Sequence, residues 1–369
     1  MSILLSILVA VAVVAGLGGA LAAALSLADR YLNDYGQCAI TVNNSRTLSV
    51  QGGASLLSSL MSQNIFIPSA CGGRGTCGLC KVKVLQGGGP LLPTETPYLN
   101  DEEQKSNVRL SCQVKVRSDV SIQIPEALFA VKVYQTRCTR IRELTYDTRE
   151  FTLELAPDAQ MDFVPGQYVQ FEIPPYGNLA EPIYRAYSMA CTPSDLPELR
   201  FLIRRAPNGI ATTFLFDYLK QGDTLRFNGP YGEFRLSERD SKAIFIAGGV
   251  GMSAIFALLK QLHEQKSTRA VDFFFGVNTY RDLFYLDEVN ALVRNLPNVR
   301  FIVGLARKEP DQNWDGEVGL VTEILDRHIA QGEAEEAYLC GGPGMIDACI
   351  KVLQAKGIGP DHTYFDKFA

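Results

Sequence analysis

The sequence predicts a multidomain chain: an N-terminal transmembrane helix, a small α+β domain, an antiparallel β-barrel and an α/β domain with a parallel sheet. Three observations lead to this fold class. An uncharged apolar run fills residues 3–27, short strand patterns separated by turns fill residues 37–238, and strands alternate with helices from about residue 241. At 369 residues the chain is long enough for several domains. We place their boundaries at 1–30, 37–127, 128–238 and 239–369.

The composition indicates a globular protein that does not bind nucleic acid. Hydrophobic residues make up 47% of the chain and charged residues 20%, which shows no bias towards disorder. The formal net charge is −5 and no basic stripe is present, so nucleic acid is excluded as a partner. Nine cysteines are an odd number, and four of them are grouped, which fits a reducing compartment better than a disulfide scaffold.

The apolar run from Ile3 to Leu27 predicts a single membrane anchor. It contains no charged residue, and about 20 apolar residues suffice to span the hydrocarbon core of a bilayer. A secretory signal peptide is the alternative, but it requires a basic segment followed by a shorter apolar core, and no basic residue precedes Ile3. We therefore predict that the run is retained as an anchor.

A small domain with four grouped cysteines follows the anchor. Cys71, Cys77, Cys80 and Cys112 have the spacing C-x5-C-x2-C-x31-C, and the first three stand among glycines. Thiolates at such spacing bind zinc, bind an iron–sulfur cluster or form disulfides. Glycine lets the backbone wrap closely around cluster sulfurs, whereas structural zinc usually takes two C-x2-C pairs. The pattern therefore favours a [2Fe–2S] cluster. Strands are predicted at 38–42, 47–50, 81–85, 108–116 and 120–124, with a helix at 54–63.

The next segment predicts a small barrel with a site for a flavin nucleotide. Strand patterns cover residues 151–155, 168–173 and 199–204. Between them, the motif Arg185-Ala-Tyr-Ser188 could present an arginine and backbone groups to a diphosphate. Residues Gly209 to Thr213 begin a predicted helix, whose N-terminus could bind an anion, although Thr212 and Thr213 could also be simple caps. Taken together, these motifs favour a flavin.

The last segment predicts a parallel sheet that binds a dinucleotide. A buried strand at 243–247 is followed by Gly248-Gly-Val-Gly251 and a helix, and further strands are predicted at 271–276 and 336–340. The strand at 336–340 leads into Gly341-Gly-Pro-Gly344, a second glycine-rich corner. Corners at the carboxyl ends of parallel strands face one crevice, which is where ligands bind in open sheets.

With these motifs, the chain resembles the ferredoxin–NADP reductase superfamily fused to a plant-type ferredoxin domain. More closely it resembles the family of F subunits of sodium-translocating NADH:quinone reductases. The five-residue gap after Cys71, the stretches 185–190 and 229–234, Phe284-Tyr285 and Cys340-Gly341 are the points of similarity. The resemblance implies a β-grasp ferredoxin domain with a [2Fe–2S] cluster, an FAD-binding barrel and an NADH-binding α/β domain.

The resemblance also implies residues for each cofactor. The metal ligands would be Cys71, Cys77, Cys80 and Cys112. FAD would be bound by Arg185, Ala186, Tyr187, Ser188, Ile203, Arg204, Gly209, Ala211, Thr212 and Thr213. NADH would be bound by Gly248, Gly249, Gly251, Met252, Arg281, Cys340, Gly341, Gly342 and Pro343.

Three residues would take part in catalysis: Ser188 near the flavin N5, Cys340 beside the nicotinamide, and Phe368 over the flavin face. Ordinary packing remains the alternative for Cys340 and Phe368. For Cys138, Cys191 and Cys349 we expect nothing more than packing.

The implied function is stepwise electron transfer. A hydride would pass from NADH to FAD, and single electrons would pass to the cluster and on to integral-membrane subunits of a quinone reductase that could pump Na⁺. The catalytic domains would lie on the cytoplasmic side of the bacterial inner membrane, held by one helix. NADH is favoured over NADPH because only Arg281 is available for a 2′-phosphate, and Asp282 stands beside it. The reductase component of an oxygenase and a tethered zinc- or iron-binding module without catalysis are the alternatives.

Overall fold

The computed structural model describes residues 2–32, 35–309 and 313–368. It consists of two units. The first comprises Met1–Ile67 and Gly73–Ala130, and the second comprises Pro68–Gly72 and Val131–Ala369. The predicted fold class is confirmed in each of its soluble parts, while the predicted domain boundaries stay predictions.

The first helix, α1 (Ser2–Leu32), contains the predicted anchor. Its stretch Ile7–Ser26 is long and apolar enough to cross a membrane, and none of that stretch is buried. Twenty residues at 1.5 Å per residue span about 30 Å, the thickness of the hydrocarbon core. A signal sequence satisfies the same criteria, so retention in the membrane stays a prediction.

The rest of the first unit is a five-stranded sheet with two short helices. Its elements are β1 (Gln37–Val42), β2 (Arg46–Gln51), α2 (Leu56–Ser62), β3 (Lys81–Gln86), α3 (Asp101–Lys105), β4 (Val108–Leu110) and β5 (Val120–Gln123). The strand order is β2-β1-β5-β3-β4, with β1 and β5 parallel. Asn43 and Asn44 both have positive φ, which produces the tight turn between β1 and β2. Ser55 caps α2, and Asn100 and Glu103 form a capping box on α3.

The prediction that Cys112 lies on a strand is wrong. Strand β4 ends at Leu110, and Cys112 follows in a turn that the Gln113 N–H closes by donating to the Leu110 carbonyl at 2.8 Å. The physical reason is where the next carbonyls bond: the Leu110 carbonyl accepts from the turn itself, and the Ser111 carbonyl accepts the Leu57 N–H of α2 at 3.0 Å. Neither carbonyl is left for a neighbouring strand.

The second unit begins with an antiparallel barrel. Its strands are β6 (Lys132–Glu143), β7 (Thr148–Leu155), β8 (Tyr168–Ile173), β9 (Ile183–Ser188), β10 (Glu198–Arg204) and β11 (Thr224–Tyr231). The order is β10-β7-β6-β11-β8-β9, and a bridge between Met189 and Phe201 joins the two edges. Four fully buried phenylalanines fill the interior: Phe151, Phe171, Phe201 and Phe227. The predicted helix at 208–219 is α4 (Ile210–Thr213) continued by a π-helical turn, Phe214–Tyr218.

A six-stranded parallel sheet completes the second unit. Its elements are β12 (Ala243–Gly248), α5 (Met252–Glu264), β13 (Val271–Val277), α6 (Leu286–Val293), β14 (Val299–Leu305), β15 (Glu317–Val318), α7 (Val321–His328), β16 (Glu336–Gly341), α8 (Pro343–Ala355) and β17 (Thr363–Lys367). The order is β15-β14-β13-β12-β16-β17, so the direction of winding reverses between β12 and β16. Apolar clusters cover both faces of the sheet. Ligands are expected at the carboxyl ends of these two strands.

Candidate functional site

The two glycine-rich corners meet, as predicted. Ala247 at the end of β12 pairs with Cys340 on β16, and the corners follow directly. A Cβ on Gly251 would lie 2.0 Å from the Cys340 carbonyl oxygen, and a Cβ on Gly248 would lie 2.3 Å from the sulfur of Met345. Only glycine permits the approach of residue 251 to the Cys340 backbone, whereas the Met345 side chain near Gly248 is flexible. Both corners present glycine backbone to the crevice.

A cavity of about 360 Å³ opens at these corners. Five of its lining residues belong to the predicted FAD and NADH sets or to the predicted catalytic residues: Arg204, Gly248, Gly249, Gly342 and Phe368. Its other lining residues include Asp147, Thr148, Gly276, Asn278, Asp282, Phe284 and Met345. Backbone at the N-terminal ends of helices and small residues suit a pyrophosphate, so the cavity fits a dinucleotide.

Cys340 and Phe368 occupy different positions at this site. The Cys340 side chain is fully buried beneath the corner, where burial and the neighbouring Asp366 raise the pKa of its thiol. Phe368 lines the cavity, and its N–H donates to the Gly341 carbonyl at 2.9 Å. The Phe368 ring could therefore cover a ligand in the cavity, whereas the Cys340 side chain is packed in the core behind the corner.

Asp366 is a site residue that the sequence patterns did not identify. The Ser188 hydroxyl donates to Asp366 Oδ2 at 3.2 Å, and Asp366 pairs with Cys340 across β17 and β16. Burial raises the pKa of the Asp366 carboxyl, and the Ser188 hydroxyl opposes this rise. The sequence contains one signal for it. Asp366 precedes Phe368 by two residues at the end of a strand, and residues two apart in a strand face the same side.

The predicted Arg185-Ala186-Tyr187 segment lies on β9, an edge strand of the barrel sheet. The Tyr187 ring packs on Phe171 with ring centroids 4.8 Å apart, and burial raises the pKa of its hydroxyl. The Arg185 guanidinium lies against Gly72, where an added Cβ would come within 1.6 Å of Nη1. An arginine at this position could pair with a phosphate, and contact of Arg185 and Tyr187 with FAD stays a prediction.

The predicted diphosphate segment forms a compact turn into α4. A Cβ on Gly209 would lie 2.5 Å from Thr212 Oγ1, and that hydroxyl accepts the Ala206 N–H at 3.1 Å. Thr212 therefore acts as a cap of its own loop, which was the simpler alternative. Its contact with a diphosphate stays a prediction, as do those of Ala211 and Thr213.

The remaining predicted nucleotide residues differ in their burial and in whether they line the cavity. Arg204 is held by Asp147, whose Oδ2 accepts from Nε at 2.6 Å, and Ile203 and Met252 are buried in the core. Arg281 is exposed and stacks over the Tyr146 ring at 3.8 Å. The cavity is lined instead by Asp282, which accepts from the Thr279 N–H at 2.9 Å and from the Tyr146 hydroxyl at 3.0 Å.

The cysteine loop has the backbone geometry expected around a cluster. Gly72, Gly73, Gly75 and Gly78 all have positive φ, which other residues rarely adopt. In the first unit, the Ser111 N–H donates to the Cys80 carbonyl at 2.8 Å, and a hydrogen bond with Cys112 together with burial raises the pKa of the Cys80 thiol.

The four cysteines are distributed over both units. Cys77, Cys80 and Cys112 belong to the first unit, whereas Cys71 lies in the segment 68–72 of the second. Within the described residues, no three His, Cys, Asp or Glu side chains converge to hold a single metal ion.

Three family models match the chain, each on one of its soluble parts. They are a 2Fe-2S iron-sulfur cluster binding domain over residues 40–117, an oxidoreductase FAD-binding domain over 135–236 and an oxidoreductase NAD-binding domain over 245–351. The first model spans all four cysteines, the second spans Arg185–Ser188 and Gly209–Thr213, and the third spans both glycine corners.

Two relatives match almost the full length of the chain. The F subunit of the Na(+)-translocating NADH-quinone reductase of Neisseria gonorrhoeae is 34% identical over 394 residues, covering 95% of this chain and 96% of that protein. The corresponding F subunit of Klebsiella pneumoniae is 33% identical, and the match covers 100% of both chains.

Two solved structures are similar to this chain over most of its length. A cytochrome P450 reductase of Amycolatopsis is 26% identical with a TM-score of 0.71, covering 90% of this chain and 98% of that one. The ferredoxin reductase in carbazole 1,9a-dioxygenase is also 26% identical, with the same coverage and a TM-score of 0.68.

Proposed function

The chain belongs to the family of F subunits of Na(+)-translocating NADH-quinone reductases, and we propose that it is the NADH-oxidising component of such a complex. It is an NADH-dependent flavin and iron–sulfur oxidoreductase. When bound, FAD would supply the acceptor for a hydride from NADH, and the [2Fe–2S] cluster would supply one-electron transfer to the next carrier. The glycine cavity at the β12–β16 reversal is the observation on which this proposal rests most heavily.

The residues of the second unit would bind the two nucleotides and orient them. The bare backbone at Gly248, Gly249 and Gly342 would receive the pyrophosphate of NADH. Arg185 and Tyr187 on β9 would hold FAD, and the buried Ser188 would hold a proton at its Oγ beside the reacting face. Phe368 would cover that face and exclude water until NADH binds.

Cys71, Cys77, Cys80 and Cys112 would ligate the cluster. The positive φ angles of the loop glycines support this assignment, because they bring backbone N–H groups close to a bound sulfur. Removal of any one thiolate would leave one iron with one ligand fewer. We therefore expect Cys77→Ser to lose the cluster while FAD is retained.

A visible spectrum of the purified full-length protein tests the function. We expect flavin and iron–sulfur absorption, and bleaching of both when NADH is added. The absence of both kinds of absorption would contradict the proposal and favour a zinc-binding module. Bleaching of the flavin without the cluster would show that the electron route ends at FAD.

The carboxylate of Asp282 supports the preference for NADH. It lines the cavity and is fixed by three donors, the Thr279 N–H, the Thr279 hydroxyl and the Tyr146 hydroxyl. A fixed negative charge there repels a 2′-phosphate. We expect Asp282→Ala to raise kcat/KM for NADPH relative to NADH by ~10-fold, the effect of about 1.4 kcal/mol. Asp287→Ala, on the exposed side of α6, is the matched control, and an unchanged ratio in Asp282→Ala would refute the assignment.

We further propose that α1 holds the chain in the bacterial inner membrane, beside integral-membrane partner subunits, with the other domains in the cytoplasm. The apolar stretch Ile7–Ser26 and the full-length match to the Klebsiella relative support this. Removal of residues 1–32 should release the protein into the soluble fraction with its NADH-dependent bleaching intact. A truncated protein that still sediments with membranes would show that another surface is the anchor.

The likeness to the P450 and carbazole dioxygenase reductases keeps an oxygenase partner as the second candidate. Co-purification from membranes discriminates between the two functions. Quinone-reductase subunits are expected with this chain, and recovery of an oxygenase in their place would favour the alternative.

A further inference from the structure

We propose that Gln113 raises the reduction potential of the [2Fe–2S] cluster by donating a hydrogen bond to the sulfur of Cys112. The inference rests on the proposed function, because it requires the cluster that Cys112 would ligate. It is based on one juxtaposition in the first unit: the Gln113 carboxamide lies between the Cys112 sulfur, the Thr94 hydroxyl and the backbone of Gly75.

The distances orient the amide with its amino end towards the sulfur. Gln113 Nε2 lies 3.6 Å from Cys112 Sγ, which is a hydrogen-bonding distance for sulfur. The Thr94 hydroxyl donates to Gln113 Oε1 at 3.0 Å and so engages the carbonyl end. The opposite orientation would point a carbonyl oxygen at a thiolate, and two acceptors repel each other.

The surrounding backbone keeps the carboxamide in this place. A Cβ at residue 75 would lie 2.6 Å from Gln113 Nε2 and would displace the carboxamide, and the φ of +76° favours glycine there. The Gln113 N–H and the Val114 N–H both donate to the Leu110 carbonyl, at 2.8 and 3.2 Å. The turn that carries Cys112 therefore fixes the backbone of Gln113, and the Thr94 hydroxyl holds the end of its side chain.

The effect on potential follows from charge. Reduction adds one negative charge to the cluster and its thiolates, and a donor to a ligand sulfur stabilises the reduced state more than the oxidised one. Gln113 is half-buried and Cys112 is buried, so water competes poorly for this hydrogen bond. Loss of the donor should therefore lower the midpoint potential.

A redox titration followed by electron paramagnetic resonance measures this effect on the full-length protein in detergent. Gln113→Met keeps the approximate size of the side chain and removes the donor. We expect the ratio of reduced to oxidised cluster at a fixed potential to fall about 3- to 10-fold, and a tenfold fall equals a midpoint about 59 mV lower for one electron. Gln86→Met, the same change at the exposed end of β3, should leave the midpoint unchanged.

Two further variants keep the test decisive. Gln113→Glu retains the shape but adds a negative charge, so its midpoint should fall further than that of Gln113→Met. Thr94→Val leaves the amide in place without its orienting hydroxyl, so its midpoint should fall less. Should Gln113→Met fail to assemble a cluster, these two titrations decide in its place.

The outcomes separate this inference from the proposed function. Rates of flavin reduction by NADH should match wild type in every variant, because the nucleotide cavity belongs to the other unit. Unshifted midpoints in the glutamine variants, with wild-type iron content, would overturn the role of Gln113 alone. A wild-type protein that lacks a cluster would instead contradict the proposed function.

Discussion

The contact between Ser188 and Asp366 joins two residues that are 178 positions apart. The motif Arg185-Ala-Tyr-Ser188 made Ser188 a candidate from the sequence, and its role beside the flavin stays a prediction. Asp366 could not be identified from the sequence, because its segment shows only the alternation of an ordinary strand. Which residues it contacts depends on the strand with which this segment pairs. Pairing of β17 with β16 places the carboxyl beside Cys340 and under Ser188.

We expect Ser188→Ala to slow flavin reduction by NADH by ~10- to 100-fold, since a hydrogen bond to a charged group contributes about 1.5–3 kcal/mol. The Ser188 hydroxyl lowers the pKa of Asp366 against the effect of burial, so the carboxyl of the variant should titrate at higher pH. The acid limb of the pH–rate profile should move upward accordingly. Stopped-flow reduction across pH measures both effects.

Ser49→Ala, on the exposed edge strand β2, is the control for this variant. Wild-type rates and an unmoved pH profile in Ser188→Ala would mean that the hydroxyl contributes only to packing.

At the scale of secondary-structure elements, the two glycine corners depend on close approach of β12 and β16. A Cβ added to Gly251 would lie 2.0 Å from the Cys340 carbonyl oxygen, whereas a Cβ added to Gly344 on α8 would have no atom within 4 Å. The two glycines belong to the two corners and differ in the room around them.

Gly251→Ala should push the β12 corner off β16 and abolish most NADH binding, while the cluster and FAD remain. Gly344→Ala should bind NADH normally and be more stable by about 0.5–1 kcal/mol, because alanine favours the helix. NADH titration followed by flavin fluorescence, together with thermal unfolding, measures both. Equal NADH affinity in the two variants would contradict the importance of the corner contact.

Edge strand β15 is tied to α7 by Glu317. Its carboxylate accepts from His328 at 2.6 Å and from Arg327 at 2.8 Å, and these two bonds lower its pKa below the ordinary value of 4.5. A carboxyl whose pKa is lowered by folding stabilises the folded state above its unfolded pKa. That stabilisation is lost as the pH falls through the lowered value.

Glu317→Gln should therefore lower the Tm at pH 7 by about 1–2 °C, since an exposed pair contributes about 0.2–1 kcal/mol. The difference from wild type should shrink as the pH falls below 4.5, the ordinary pKa. Glu335→Gln, at an exposed position before β16, is the control. A Tm difference that stays constant as the pH is lowered well below that value would argue against the ion pair.

At the scale of the whole second unit, a polar network connects the barrel to the parallel sheet. The Tyr285 hydroxyl donates to Glu150 on β7, and both residues are almost fully buried. Arg142 on β6 donates to Glu150 at 3.0 Å and to Glu288 on α6 at 2.7 Å. Tyr285 has a φ of +64°, an unfavourable angle for a bulky residue that this network maintains.

Tyr285→Phe should destabilise the second unit by about 1.5–3 kcal/mol, because it leaves a buried carboxylate with one fewer donor. We expect a lower Tm of the FAD-loaded protein and a higher KM for NADH with a smaller change in kcat. Tyr280→Phe, on the same segment but about half exposed at 48%, is the control. Tm and KM values equal to wild type would show that the network does not couple the two sheets.

The sequence by itself determined the features that neighbouring residues encode. The apolar run of α1, the cysteine spacing, the glycine corners and the alternation of the strands are local patterns, because helices, strands and tight turns follow from short-range sterics and periodicity. Tertiary structure alone decided which distant groups meet. It placed Asp366 beside Ser188, ended β4 before Cys112 where the Ser111 carbonyl accepts the Leu57 N–H, and set Gln113 between Thr94 and Cys112. Such contacts depend on strand pairing and burial, and no local pattern contains that information.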